Sequence, residues 1–313
     1  MTLVTLVSYC SLERAYIGEL LRNAVTFSDV VVVSIGSRLY SGEPEDVTGL
    51  FRRDVLGCLD SGDEKNKKKV HLASYDVPAS IPPDRHTSCL HNAARSAGYR
   101  AAKAIVGALN PNFWVLFLDG DEVPDGARFK QWLGSSEEFE RGALGYNRVY
   151  KFANYWAFIH PKLVSVENED SVLMAHSSML CAGALGHRRE RDGIYQWHWD
   201  LSSVAGALSK SDRLVLKRNV GSSVADSSDS STPMFFHYSW VRGLPSISEV
   251  PDAIEPGWLG PAEAGINAKI DGWGHRGDRD WASVIAHTFR EMRATNRWPS
   301  HEFVHGHSLR FLG

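Results

Sequence analysis

Residues 113–118, Phe-Trp-Val-Leu-Phe-Leu, form an unbroken apolar run that stops at Asp119, Gly120, Asp121 and Glu122. The run is too short to cross a bilayer, and its Phe, Trp and Val content predicts a strand buried on both faces. Three carboxylates placed where a buried strand leaves its sheet repel one another unless positive charge sits between them, and a divalent cation is a natural partner. Side chains alternate along an extended chain, so Asp119 and Asp121 are expected on one side, sharing one metal, with Gly120 leaving room for a bulky ligand. The simpler alternative is a turn opened by two acids and closed by Val123-Pro124. Ligands of α/β sheets collect at the carboxyl ends of the strands, which is where this motif stands.

The flanking sequence supplies such a sheet. Residues 2–8 read as a strand, and 12–27 as a helix with Ile17, Leu20, Leu21, Ala24 and Val25 at helical spacing. Four consecutive valines within 29–35 make a second buried strand, so the opening is β-α-β with a parallel pair. Residues 70–77 repeat the strand signal after a lysine-rich stretch at 65–69, read as a solvated loop. An alanine-rich helix over 87–109 then leads to the strand at 113. This alternation predicts a doubly wound, Rossmann-like α/β sheet.

With 313 residues and 43% hydrophobic composition the chain can bury a large core. Its 34 basic and 37 acidic residues give a net charge of −3, which provides no field to attract nucleic acid. Cys10, Cys58, Cys89 and Cys181 lack C-x-x-C spacing, so neither a zinc knuckle nor a disulfide framework is expected and a reducing compartment fits. The first residues lack a basic region and alternate in polarity like a strand, and no segment reaches transmembrane length. The expectation is a cytoplasmic protein without a membrane span.

Phe-Leu-Asp-Gly-Asp-Glu-Val-Pro, 117–124, resembles the D-x-D strand of nucleotide-sugar-dependent glycosyltransferases with the GT-A fold, particularly those similar to family 2. The resemblance implies a mixed, mainly parallel sheet flanked by helices, with a C-terminal helical extension read from Trp281, Ile285, Phe289 and Met292. It implies one catalytic domain over 1–313, with a nucleotide-sugar-binding half at 1–130 and an acceptor half at 131–313. The partners would be a nucleotide-diphosphate sugar donor and a glycan or other hydroxyl acceptor. Asp119 and Asp121 would hold Mn²⁺ or Mg²⁺ against the donor diphosphate, with Gly120 beside it. His237, in the strand-like stretch 235–242, would be a third ligand, since imidazole suits Mn²⁺ beside carboxylates. By the same resemblance the loop after the first strand, with Ser8, Tyr9 and Glu13, would meet the base and ribose, and Arg95 would face the donor.

The family usually carries an Asp-rich turn after its second strand; here that place reads Ser34-Ile35-Gly36-Ser37, and acids return only at Glu43, Glu45 and Asp46. An inverting transfer needs a carboxylate to take the acceptor proton. Glu169-Asp170 matches the family's acidic pair, with Asp170 as the base and Asp200, among Trp197, His198 and Trp199, as its rival. Arg276, beside glycines, could neutralise the departing diphosphate through its planar fork. The aromatic stretch 143–158 is either an acceptor wall or core. The serine-rich 221–232 reads as a mobile loop leading to His237. Two other readings keep the sheet: a metal-dependent nucleotidyltransferase or phosphohydrolase, disfavoured because 8–14 contains no glycine, and a non-catalytic carbohydrate-binding relative.

Overall fold

The computed structural model describes residues 2–39, 42–59, 62–77, 88–106, 112–135, 149–158, 163–165, 169–177, 180, 235–240 and 309–311. In chain order the elements are β1 (Leu3–Tyr9), α1 (Arg14–Phe27), β2 (Val30–Gly36), α2 (Val47–Leu50), α3 (Glu64–Lys67), β3 (Val70–Tyr75), α4 (Ser88–Val106), β4 (Trp114–Asp119), β5 (Glu122–Pro124), α5 (Gly126–Ser135), β6 (Val149–Phe158), β7 (Leu163–Ser165), β8 (Glu169–His176), β9 (Phe235–Trp240) and β10 (Leu309–Phe311). A 3-10 turn, Ser11–Glu13, leads into α1, and a π-helical segment, Phe51–Leu56, continues α2.

The strands form one mixed sheet in the order β10-β7-β6-β8-β4-β1-β2-β3, with β9 joined to β6 and β5. Its centre, β4-β1-β2-β3, is parallel, and β8 and β6 add antiparallel strands beyond β4. This is the α/β architecture that the sequence predicts. Buried β1 and β4 carry apolar residues at nearly every position because both faces are covered. Leu3, Val7 and Tyr9 of β1 and Trp114, Leu116 and Leu118 of β4 pack with α1 on one face; Val4, Leu6, Val115 and Phe117 pack with Tyr99, Ala102 and Val106 of α4 on the other. The alternation is the pleat of an extended chain, and it fixes which face each residue at the strand ends must take.

On the α1 face, Phe129 of α5 meets Phe152 and Phe235 edge-on and Trp132 meets Phe152 edge-on, while Phe129 and Trp132 stack on one another, with ring centroids 5.1–5.7 Å apart. Phe152 of the aromatic stretch is therefore core, each such ring contributing roughly 1.5–3 kcal/mol of burial.

Three expectations are corrected. The lysine-rich 65–69 is not simply a solvated loop: it includes the end of α3, and Lys69 donates its Nζ to the carbonyls of Val25 (2.7 Å) and Ser28 (3.1 Å), closing the C-terminus of α1. The helix expected over 12–27 begins at Arg14 behind the 3-10 turn. Asp119 to Asp121 is not extended: Gly120 and Asp121 form a turn between β4 and β5, so strand alternation does not relate the two aspartates. The helical extension read around 281–292, the loop 221–232, Asp200 and Arg276 lie outside the described residues. Among the described residues no helix is long and apolar enough to cross a membrane.

Candidate active site

The sheet order sets the location. From β1 the chain steps outward to β2 and β3, then returns through α4 to β4 on the other side of β1, so the carboxyl ends of β1 and β4 border the point where the winding reverses. Crevices at such points receive ligands in open α/β sheets. Ser8 pairs in register with both Asp119 and Ser34 there, and all three lie on the α4 face by alternation.

Arg95 of α4 reaches this row. It is buried, 2% exposed, and its Nη2 donates to both carboxylate oxygens of Asp119 at 2.8 and 3.2 Å. Among the described residues its Nε and Nη1 are buried without a hydrogen-bond partner, as is the Ser34 hydroxyl, which stands against Gly98 one turn along α4. A buried guanidinium with two unmet donors is costly, and a ligand oxygen would satisfy it. Tyr75, at the end of β3, borders the same region; burial pushes its hydroxyl pKa up, nearby Cys10, Glu13 and Glu45 add to the rise, and Arg95 opposes it.

Asp121 has a different partner. Its Oδ1 lies 3.4 Å from His237 Nε2, and its carbonyl accepts the Tyr238 N–H at 2.9 Å. Antiparallel pairing of β5 with β9, Glu122 opposite His237, delivers the imidazole to the turn. Glu122 is fully buried and folds back, its carboxylate accepting the Asp119 N–H at 2.8 Å. Glu13 is buried as well, and its carboxylate accepts the Cys10 N–H.

Gly120 does not leave room for a ligand, because a β-carbon there would run into the Glu13 carboxylate and come within 3.1 Å of the Ser8 carbonyl. Its smallness admits Glu13 instead. Tyr9 does not face the crevice either, since alternation turns its ring to the α1 face, where its hydroxyl donates to Asp54 at 3.0 Å. Ser11, in the same loop, is pinned by Glu45, whose carboxylate accepts the Ser11 N–H at 3.1 Å and its hydroxyl.

Four buried carboxylates, Glu13, Asp119, Asp121 and Glu122, thus face one arginine and one imidazole among the described residues. That balance favours a cation, although no group of three or more acid, His or Cys side chains among the described residues is arranged to hold one. Asp119 is engaged by Arg95, so the donors that fit an ion are Asp121 and His237, whose separation of 3.4 Å suits adjacent positions around one ion of Mn²⁺ or Mg²⁺ size. Ions of this kind take one or two protein ligands and complete their shell with phosphate oxygens and water.

The expected base lies at the same edge. β8 runs antiparallel to β4 with Leu173 opposite Phe117, so its first residues, Glu169 and Asp170, stand beside the carboxyl end of β4. In the neighbouring ladder they pair with Asn154 and Ala153 of β6, whose other edge pairs Asn154 with Phe235 and Trp156 with His237. The sequence signals for Asp119, Asp121, Arg95, His237 and the 169–170 pair therefore converge on one edge.

No protein-family model matches the chain, and no curated protein does. Among solved structures, a glycosyltransferase involved in the glycosylation of the major capsid of PBCV-1 is similar at 12% identity and a TM-score of 0.26, over 76% of this chain and 94% of that one. A likeness of that size carries no weight of its own, and the fold assignment stands on the strand order and register.

Proposed function

We propose that the chain transfers a sugar from a nucleotide-diphosphate sugar to a hydroxyl of a glycan or other acceptor, with Mn²⁺ or Mg²⁺ bound at Asp121 and His237 and with inversion at the anomeric carbon. The reading rests on the resemblance of 117–124 to the D-x-D strand. One structural observation supports it above the rest: the Asp121–His237 pair, 3.4 Å apart, stands at the switch point of the sheet beside a buried arginine with unmet donors. When bound, the metal supplies positive charge against the donor diphosphate and its developing negative charge.

The chain's own residues supply the rest. Arg95 holds Asp119 in place and offers Nε and Nη1 to donor oxygens. Glu122 fixes the turn through the Asp119 N–H, so that Asp121 stays at His237. Asp170, at the same edge, takes the proton from the acceptor hydroxyl, with Glu169 beside it. The full chain is incubated with a panel of nucleotide sugars and Mn²⁺, and nucleoside diphosphate release is followed. We expect release with at least one donor, its loss in EDTA, and a fall in kcat of about two to four orders of magnitude in Asp170→Asn with donor affinity kept. Wild-type turnover in Asp121→Ala would remove the metal from the account.

A further inference from the structure

Asp54, in the π-helical segment, is buried on the α1 face, with its side chain 3% exposed, and three donors meet its carboxylate. Tyr9 donates its hydroxyl at 3.0 Å, Arg14 its Nε at 3.0 Å, and Arg53 its Nε at 2.8 Å. Burial pushes the Asp54 pKa up, but the bonds from Arg53, Arg14 and Tyr9 outweigh it and hold the carboxyl below its ordinary value. Burial, and then the charge of Asp54, raise the Tyr9 hydroxyl, which stays a donor.

The two arginines are held by the same edge and left open at the other. Their side chains are 54% and 59% exposed, and among the described residues neither makes another hydrogen bond. A guanidinium that spends its Nε on an anchor keeps its two terminal nitrogens as a planar fork. Two such forks on one carboxylate lie close together, with two positive charges against one negative. They open at one end of a groove of about 740 Å³ between α1, the π-helical segment and β5 with β9. At its far end Arg22 is already paired with Glu19, while Val123, Pro124 and Phe236 give the wall an apolar stretch.

We propose that Arg14 and Arg53, set by Asp54, form a binding site for a phosphate or phosphate-ester group, separate from the donor crevice. Four terminal nitrogens in two planes match the several oxygens of a tetrahedral dianion better than the two coplanar oxygens of a carboxylate. The apolar wall suits the carbon portion of a phosphorylated ligand. The site is distinct because it lies on the α1 face of the sheet edge, whereas Arg95 and Asp119 lie on the α4 face.

The test uses the full chain with divalent ions chelated and no nucleotide present, so it reads independently of the proposed transferase activity. Inorganic phosphate, titrated by calorimetry, is expected to bind saturably and more tightly than acetate. Arg14→Gln and Arg53→Gln should each weaken it by about tenfold or more, the worth of a charge-assisted pair. Asp54→Asn is the sharper variant, because it adds net positive charge yet frees the forks. The pinned-fork account expects weaker phosphate binding there; a site made of charge alone would bind more tightly. Arg53→Lys, which keeps the charge and loses the fork, should also weaken binding, and thermal melting confirms that each variant is folded. Absence of saturable binding, affinity unchanged in both glutamine variants, or tightening in Asp54→Asn would each overturn the proposal.

Discussion

Two arginine–aspartate clusters stand at the same edge of the sheet, on opposite faces, and they divide their burial in opposite ways. On the α4 face the cation is the more deeply buried partner: Arg95 is enclosed, bonds Asp119 through one nitrogen, and keeps two buried donors unmet. On the α1 face the anion is buried: Asp54 is satisfied by three donors, and the spare nitrogens of Arg14 and Arg53 reach solvent. Spare donors in water cost little, whereas spare donors in the interior cost their full desolvation. The first cluster is therefore strained toward a ligand, and the second is a finished structural joint with binding capacity left over.

Removing each anion is the most direct way to break this contrast. Asp119→Ala leaves Arg95 buried without the carboxylate it bonds and should destabilise the fold by about 3 to 5 kcal/mol, read by denaturant unfolding. A smaller loss in Asp119→Ala than in Asp54→Ala would reverse the comparison. Asp54→Ala leaves the arginines to solvent and orphans chiefly the Tyr9 hydroxyl, a cost of about 1 to 3 kcal/mol.

The second cluster also has a pH signature. Asp54 has its folded pKa below its unfolded value, so its contribution is complete above the ordinary carboxylate range and is lost as pH falls through the folded value. The stability gap between the wild type and Asp54→Ala should therefore narrow on acidification below about pH 4. A gap that widens there would contradict the assignment.

Gly120→Ala sharpens the comparison with a smaller effect. The added methyl group must displace the Glu13 carboxylate from above the turn, at about 1 to 2 kcal/mol for local overpacking, measured by thermal unfolding. Glu13→Gln, which keeps that contact, should cost less. Equal losses in both would show that the charge of Glu13, not its position, is what matters.

The legible part of the sequence is the part where one pattern answers to one cause. The valines of β2 and the 113–118 run announce strands because both faces are covered, and the α1 and α4 periodicities follow from packing on that sheet. Asp119, Asp121 and His237 were legible as a motif, yet their geometry was not. Alternation applies only to an extended chain, and the turn at Gly120–Asp121 sends one aspartate to Arg95 and the other to His237. Asp54 carried no signal: it sits in a π-helical segment between Arg53 and Val55, and its role depends on Tyr9 and Arg14, 45 and 40 residues away in sequence. What could have found it is β1 alternation, which turns Tyr9 toward α1 and obliges its hydroxyl to find a partner there. On the antiparallel side the sequence marks only β9 as a strand, and the pairing of β6, β8 and β9 rests on contacts distant in sequence.

The central claim is that the α4-face crevice receives a nucleotide diphosphate together with a divalent cation held at Asp121 and His237. Calorimetric titration of the full chain with a nucleoside diphosphate, once with Mn²⁺ and once with EDTA, tests it most directly. The account predicts affinity weakened by about tenfold or more in EDTA, the same loss in Asp121→Ala with Mn²⁺ present, and little further loss when both changes are combined. Nucleoside diphosphate binding that is equally tight with and without metal, or unaffected by Asp121→Ala, would contradict it.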